Sequence, residues 1–279
     1  MMLTGCSTLR LGYDNGPTIA WWWLDGYMDF DATQSPRAKD AVRQWFTWHR
    51  RTQLPDYALQ LASLQAEALE PVTAARACQW TELARERAWA AIDGALPLAQ
   101  PVLAASGEAQ WQHLAQRYAK GNAELRSDFV QPDASERTKA SVKRTVERAE
   151  TFYGRLDERQ RRLIAESLST SPFDPELWLA DRERRQREVL QTLRAMPGLD
   201  RERGLAALRR LAEALERSPQ PDHRAYQQRL TAYNCEFAAR LHNATTPAQR
   251  QVMRGKLKGW EGDVRALLAG AAAVVAVSP

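Results

Sequence analysis

The 279-residue chain has no long apolar run. No window reaches the ~18 consecutive apolar residues that a membrane-spanning helix needs, and the nearest, the tail from Ala266 to Val277, is too short. Histidine is scarce. His49, His113, His223 and His242 lie far apart with no H-x-x-x-H spacing, so no metal site is expected. A G-x-S-x-G turn, a Gly-rich phosphate loop and a cysteine–histidine signature are also missing. The acidic residues are too evenly spread to single out an acid–base pair, so catalysis has little to stand on and no cofactor is expected. Basic residues are not gathered together either: 39 Lys and Arg are interspersed with 34 Asp and Glu, for a net charge of +5. Electrostatic binding of nucleic acid wants Lys and Arg on one face, which excludes it as an expected partner. Arg far outnumbers Lys, which reads as a high-GC genome signature before any phosphate-binding role. Nowhere do apolar and polar residues alternate with the period of a strand.

What is present begins with Leu3-Thr4-Gly5-Cys6, which has the form of a bacterial lipobox: an apolar residue, two small residues, then a cysteine whose thiol accepts diacylglycerol. A signal peptidase needs small residues there to draw an extended backbone close. Only five residues precede Cys6, too few for a basic n-region and an apolar h-region. Residues 1–5 therefore read as the remnant of a longer lipoprotein signal whose start lies upstream. Two acyl chains give stable attachment, whereas one is marginal. In the bacterial lipoproteins this resembles, Asp after the lipid-bearing Cys retains the protein at the inner membrane, so Ser7 implies the outer membrane. Cys78 and Cys235 lie more than half the chain apart. An oxidising compartment would let them bridge, but buried free thiols are the preferred reading.

Gly12, Asn15, Gly16 and Pro17 mark residues 6–17 as a tether, and a helix is expected from Thr18. Ile19, Trp22, Trp23, Tyr27 and Phe30 share one face of it, while Trp21, Leu24 and Met28 cover the other. A helix apolar nearly all round is a buried one. The alternative is an aromatic belt on lipid headgroups, against which Asp25, Asp29 and Asp31 would be repelled by an anionic surface. Ser35-Pro36 is expected to cap a helix through Arg50, and Leu54-Pro55 to open one closed by Pro71. Thr73 to about Leu96 is Ala-rich, which permits close helix approach. Pro97 and Pro101 are expected to break the chain before Ser106 caps a helix through Phe129. Gln131-Pro132-Asp133 separates an aromatic-rich part, residues 18–130, from an Arg/Glu-rich part, residues 131–271, within one continuous domain; residues 272–279 form a tail. Further helices are expected from Asp133, Asp157 and Asp174, then around Leu205–Leu215, Tyr226–Leu241 and Met253–Leu267. The octet Asp181–Glu188, all charged or Gln, reads as a solvated face. The fold class is all-α, a bundle of about ten helices with short Pro- and Gly-containing connections.

Trp22-Trp23-Leu24-Asp25 with Tyr27, then Trp48-His49-Arg50 and Leu54-Pro55-Asp56-Tyr57, resemble an uncharacterised family of proteobacterial lipoproteins. That resemblance spans the chain from Cys6 to the final helix and implies a helical, lipid-anchored envelope protein without implying a reaction. A weaker similarity is to the Spy-type periplasmic chaperones, whose helices carry Leu-Thr-x-x-Gln elements. Leu156-Asp157-Glu158-Arg159-Gln160 and Thr245-Thr246-Pro247-Ala248-Gln249 both depart from that pattern. Each is also a capping box, with Asp157 or Thr246 at the N-cap and Gln160 or Gln249 three residues on.

The best binding candidates are Trp22, Trp23, Asp25 and Tyr27 beside Trp45, Trp48, His49 and Arg50, because Trp, Tyr and Arg dominate binding anchors. The competing reading, preferred on composition, makes them a core with Asp25 and Arg50 paired at its rim and His49 a buried, hydrogen-bonded imidazole. The functional expectation is a non-enzymatic envelope lipoprotein of the outer membrane, lipidated at Cys6 and facing the periplasm. Its partners would be the membrane, through its lipid, and an unfolded or envelope polypeptide, bound as by a chaperone. The alternatives are an enzyme acting on peptidoglycan and, if Met1 is the true start, a cytoplasmic helical scaffold.

Overall fold

Side-chain oxygens and prolines set where the helices begin. In the computed structural model, which describes residues 7–130 and 133–276, Ser7, Thr73, Asp133, Asp157, Asp174 and Asp200 each accept a hydrogen bond from a backbone N–H of the turn that follows. These bonds satisfy amides that have no partner inside the helix. Pro17, Pro55 and Pro221 stand in the first turns of three others, and Pro175 follows Asp174 directly, where their missing N–H does no harm.

Among the described residues there are twelve α-helices and no strand. They are α1 (Thr8–Asp14), α2 (Gly16–Met28), α3 (Gln34–Thr52), α4 (Leu54–Glu67), α5 (Ala74–Leu103) and α6 (Glu108–Phe129), followed by α7 (Ala134–Tyr153), α8 (Glu158–Ser169), α9 (Pro175–Ala195), α10 (Arg201–Glu216), α11 (Pro221–Asn243) and α12 (Pro247–Ala276). Helix α5 is the spine, packing on α3, α10 and α11, while α4 lies along α12 and α6 along α9. Helices on the two sides of residues 131–132 therefore pack on one another. One apolar cluster joins Met28, Leu114, Leu193, Met196 and Leu208; another joins Val146, Ala149, Leu156, Ile164 and Leu241.

Several local expectations give way to packing. Residues 8–14, expected within a tether, form α1, because Leu9 and Tyr13 bury against Leu54, Val264 and Leu267. Ser35 is not the cap of α3. Asp31 takes that role, accepting from the amides of Thr33 at 2.7 Å and Gln34 at 2.9 Å. Pro97 and Pro101 sit inside α5 instead of ending it, since helices packed along both sides hold the chain in register across the missing amides. Gly107, not Ser106, precedes α6, and the Ser106 hydroxyl donates back to the Leu103 carbonyl. The last helix runs on through Ala276. Gln131 and Pro132 of the expected boundary, residues 1–6 with Cys6, and residues 277–279 lie outside the described residues.

Two larger corrections concern buried groups. Asp181 is only 8% exposed, so the octet is not a solvated face. Its carboxylate is 2.7 Å from Arg184 and 2.6 Å from Arg185, with the buried His223 ring 3.6 Å away on α11. Gln186 bonds Asn122 of α6. Helix α9 is thus covered on its polar side as well, which its own sequence does not signal. Cys78 and Cys235 are not free thiols: they form a disulfide, Cα–Cα 5.2 Å, inside a cluster with Val72, Ala77 and Ala239. The backbone N–H and C=O of Val72 both bond the Asn243 side chain at 2.8 Å, holding the start of α5 against the end of α11.

Both capping boxes form. Asp157 and Gln160 exchange hydrogen bonds at the start of α8, and Thr246 and Gln249 do so at the start of α12. Physics of the helix end is enough to explain these two glutamines locally.

Candidate functional site

Helices α1 to α3 carry the aromatic stretch, and the structure divides the eight candidate residues between outside and inside. On α2, Trp21 and Met28 are buried, Trp21 stacking on Phe30 with ring centroids 5.6 Å apart. The next two indoles point the other way: Trp22 is 69% exposed and Trp23 62% exposed, alongside Ile19 at 53% and, on α1, Leu11 at 58%. The expectation of a helix buried all round is therefore corrected. A thirteen-residue helix lying on the bundle has one face covered and leaves much of the other to solvent. Tyr27 is half-buried, 4.8 Å from Trp23 and 6.3 Å from Tyr118 between ring centroids, with the Arg117 guanidinium 5.4 Å from its own ring. Asp25 does not pair with Arg50. It accepts a hydrogen bond from the Phe30 amide and closes the end of α2, where Asp29 takes the left-handed φ of 49°.

The α3 residues turn inward. The Trp45 indole N–H donates to the Ala91 carbonyl at 2.9 Å, and its ring stacks on His49 with centroids 4.6 Å apart. Trp48 packs over Gly94 of α5 so closely that a Cβ there would overlap its indole. His49 is 7% exposed, and both its ring nitrogens are engaged: Nδ1 with the Tyr13 hydroxyl at 2.9 Å, Nε2 with the Tyr57 hydroxyl at 3.2 Å. Burial lowers its pKa, raises that of Tyr57 and pushes that of Tyr13 up to about 12. The triad is consequently neutral around pH 7, and His49 is the buried, hydrogen-bonded imidazole expected. Arg50 bonds Asp14 of α1 at 2.8 Å and lies 5.2 Å from the Tyr13 ring centroid. These contacts pin α1 to α3; they offer no nucleophile and no acid–base couple.

Behind α2 lies a cavity of about 660 Å³, walled almost entirely by apolar atoms from α2, α3, α5, α6, α9 and α10. Alanines on the facing helices α3 and α5, Ala38 and Ala41 against Ala95 and Ala99, are too short to fill it. A shallower apolar cavity of about 520 Å³ lies between α1 and α2 and shares Ala20, Trp23 and Phe46 with the first. Sequence reasoning missed Ala95, Leu98, Ala99 and Val102 as part of the site because a break was expected at Pro97. The signal available was the apolar periodicity continuing through both prolines.

Among the described residues no group of three His, Cys, Asp or Glu is placed to hold a metal, and no helix is long and apolar enough to cross a membrane. The chain belongs to DUF6279, a family of unknown function, whose model matches residues 26–220. The Trp48-His49-Arg50 and Leu54-Pro55-Asp56-Tyr57 segments fall inside that stretch; Trp22-Trp23-Leu24-Asp25 lies just ahead of it. No curated protein and no solved structure matches the chain.

Proposed function

We propose that this family member is a lipid-anchored envelope protein, tethered through Cys6 at the outer membrane and facing the periplasm, that works as a non-catalytic binding module at the membrane surface. The observation that carries this reading is the exposed apolar face of Leu11, Ile19, Trp22 and Trp23, on the two helices that follow Cys6 in the chain. Indole rings favour the headgroup level of a bilayer, and a lipid on Cys6 would hold this face beside one. Lys39 and Arg43 flank Trp22; Arg43 pairs with Asp40, while the Lys39 ammonium lies 4.7 Å from the Trp21 ring centroid and supplies a cation for an anionic headgroup. Asp25 and Asp31 accept bonds from local backbone amides, which do not cancel their charge or that of Asp29, so the indoles carry the contact in this reading. The Cys78–Cys235 bridge supports an oxidising compartment, since such bonds are rare in the cytosol. Metabolic labelling with an acyl-chain analogue tests the anchor. Label is expected on the protein made with its full signal and is lost on Cys6→Ala; absence of label from both overturns the reading.

A further inference from the structure

We infer that the partly open cavity between α2, α3, α5, α6, α9 and α10 is a binding site for one long aliphatic acyl chain. Interiors of folded proteins pack densely, with few voids larger than a water molecule, and even an apolar void of ~150 Å³ takes up small hydrocarbons. The void here is about 660 Å³, within the ~300–1,000 Å³ of ligand sites. It is too small for a helix, which is ~10 Å across with its side chains, so its occupant is a small molecule. Its walls carry no charged side chain, and their polar groups are confined to Tyr27, Tyr118, Trp23 and Trp45, the last already bonded to the Ala91 carbonyl, so a buried charge would have nothing to pair with there. The buried part of the ligand is therefore hydrocarbon.

Shape narrows the class further. Ala20, Trp23 and Phe46 line both this void and the second cavity beside Leu9, Gly12 and Tyr13, so the two adjoin on the way from the middle of the bundle to the exposed face of α1 and α2. An extended chain follows such a path, whereas a compact ring system fills only one end. The opening lies beside Ile19 and Trp23, both more than half exposed, so a chain leaving a bilayer would enter without crossing a polar rim. Free fatty acid, a phospholipid tail and the acyl chain on Cys6 share this chemistry. The site needs only the chain, and it stands whether or not Cys6 is lipidated.

Titration of the full-length Cys6→Ala protein with the fluorescent fatty acid cis-parinaric acid tests this. Saturable binding of one equivalent is expected, displaced by palmitic acid and not by naphthalene. Ala41→Phe and Ala99→Leu, which place side chains in the void, should each weaken binding by roughly tenfold or more, with helix content and the disulfide retained. No saturable binding, displacement by naphthalene in preference to palmitic acid, or unaltered affinity in both folded variants overturns the site. If a variant loses helix content, the displacement order alone decides. Comparison with protein extracted from membranes with Cys6 intact separates the sources: occupancy that blocks the probe there assigns the protein's own lipid, and equal binding assigns a chain from outside.

Discussion

Gln160 and Gln249 donate to each other, Nε2 to Oε1, at 2.7 and 3.0 Å. Each also serves its own helix start, and each reaches the chain ahead of the other's helix, Gln160 to the Ala244 carbonyl at 3.0 Å and Gln249 to the Arg155 carbonyl at 2.9 Å. Gln34 and Gln110 repeat the arrangement between α3 and α6, with bonds of 3.0 and 2.6 Å and a third from Gln34 to the Ala105 carbonyl. Two helix N-termini that are distant in sequence are thus locked together by amides already used as caps. Gln160 is 1% exposed, so Gln160→Leu strands Gln249 and a carbonyl and should cost about 2–3 kcal/mol. In a double-mutant cycle by urea unfolding, Gln160→Leu and Gln249→Leu should couple by about 1 kcal/mol or more; additive effects would show that the pair acts only through its caps.

The disulfide closes a sequence separation of 157 residues. Cys78→Ser with Cys235→Ser should lower stability by about 2–5 kcal/mol. Thiol titration of the unfolded, unreduced wild type should find neither cysteine free. Reaction of both would refute the bridge.

Burial lowers the pKa of His49 and of His242, whose Nδ1 meets the Tyr153 hydroxyl and whose Nε2 meets the Glu70 carbonyl. The unfolded chain therefore binds more protons than the folded one below the ordinary histidine value of 6.5, and stability rises with pH in that range. It is fully present above pH 6.5 and is lost as pH falls from there through the lowered values of the folded state. Carboxylates whose pKa is lowered, such as Asp31 and Glu67, respond only near and below their ordinary 3.8 and 4.5. The urea midpoint between about pH 5 and 7 should thus report the histidines, with a slope that His49→Gln flattens in part. An unchanged slope in His49→Gln with His242→Gln would refute the assignment.

Trp22 and Trp23 are more than half exposed, so Trp22→Asp with Trp23→Asp should cost about 1 kcal/mol or less. Co-sedimentation with vesicles containing anionic lipid should fall sharply in the same variant. Loss of folding instead would place these rings in the core.

Asp181→Asn leaves the Arg184 and Arg185 guanidiniums facing an uncharged, buried partner and should cost about 3 kcal/mol. Exposed Asp40→Asn, whose carboxylate accepts from Gln44 and pairs with Arg43 at the surface, is the control and should change little. Equal, small effects in thermal unfolding would return the Asp181–Glu188 octet to solvent.

The sequence by itself determined the all-α class, most helix starts and both capping boxes, because these depend on residues within one or two turns of each other. Asp157 and Gln160 satisfy amides of their own helix, so their spacing alone carries the information. Tertiary structure decided everything that depends on which face another helix covers. Trp21 and Trp22 are adjacent and chemically alike, yet one is buried and the other exposed; Asp181 looks like a surface charge and is enclosed; Cys78 meets Cys235 only because α5 and α11 cross. The cavity likewise exists only where Ala41 and Ala99, ordinary helix residues in their own segments, face each other across a space neither can fill. Periodicity describes a helix about its own axis, and the neighbours that surround that axis are set by the packing of the whole chain.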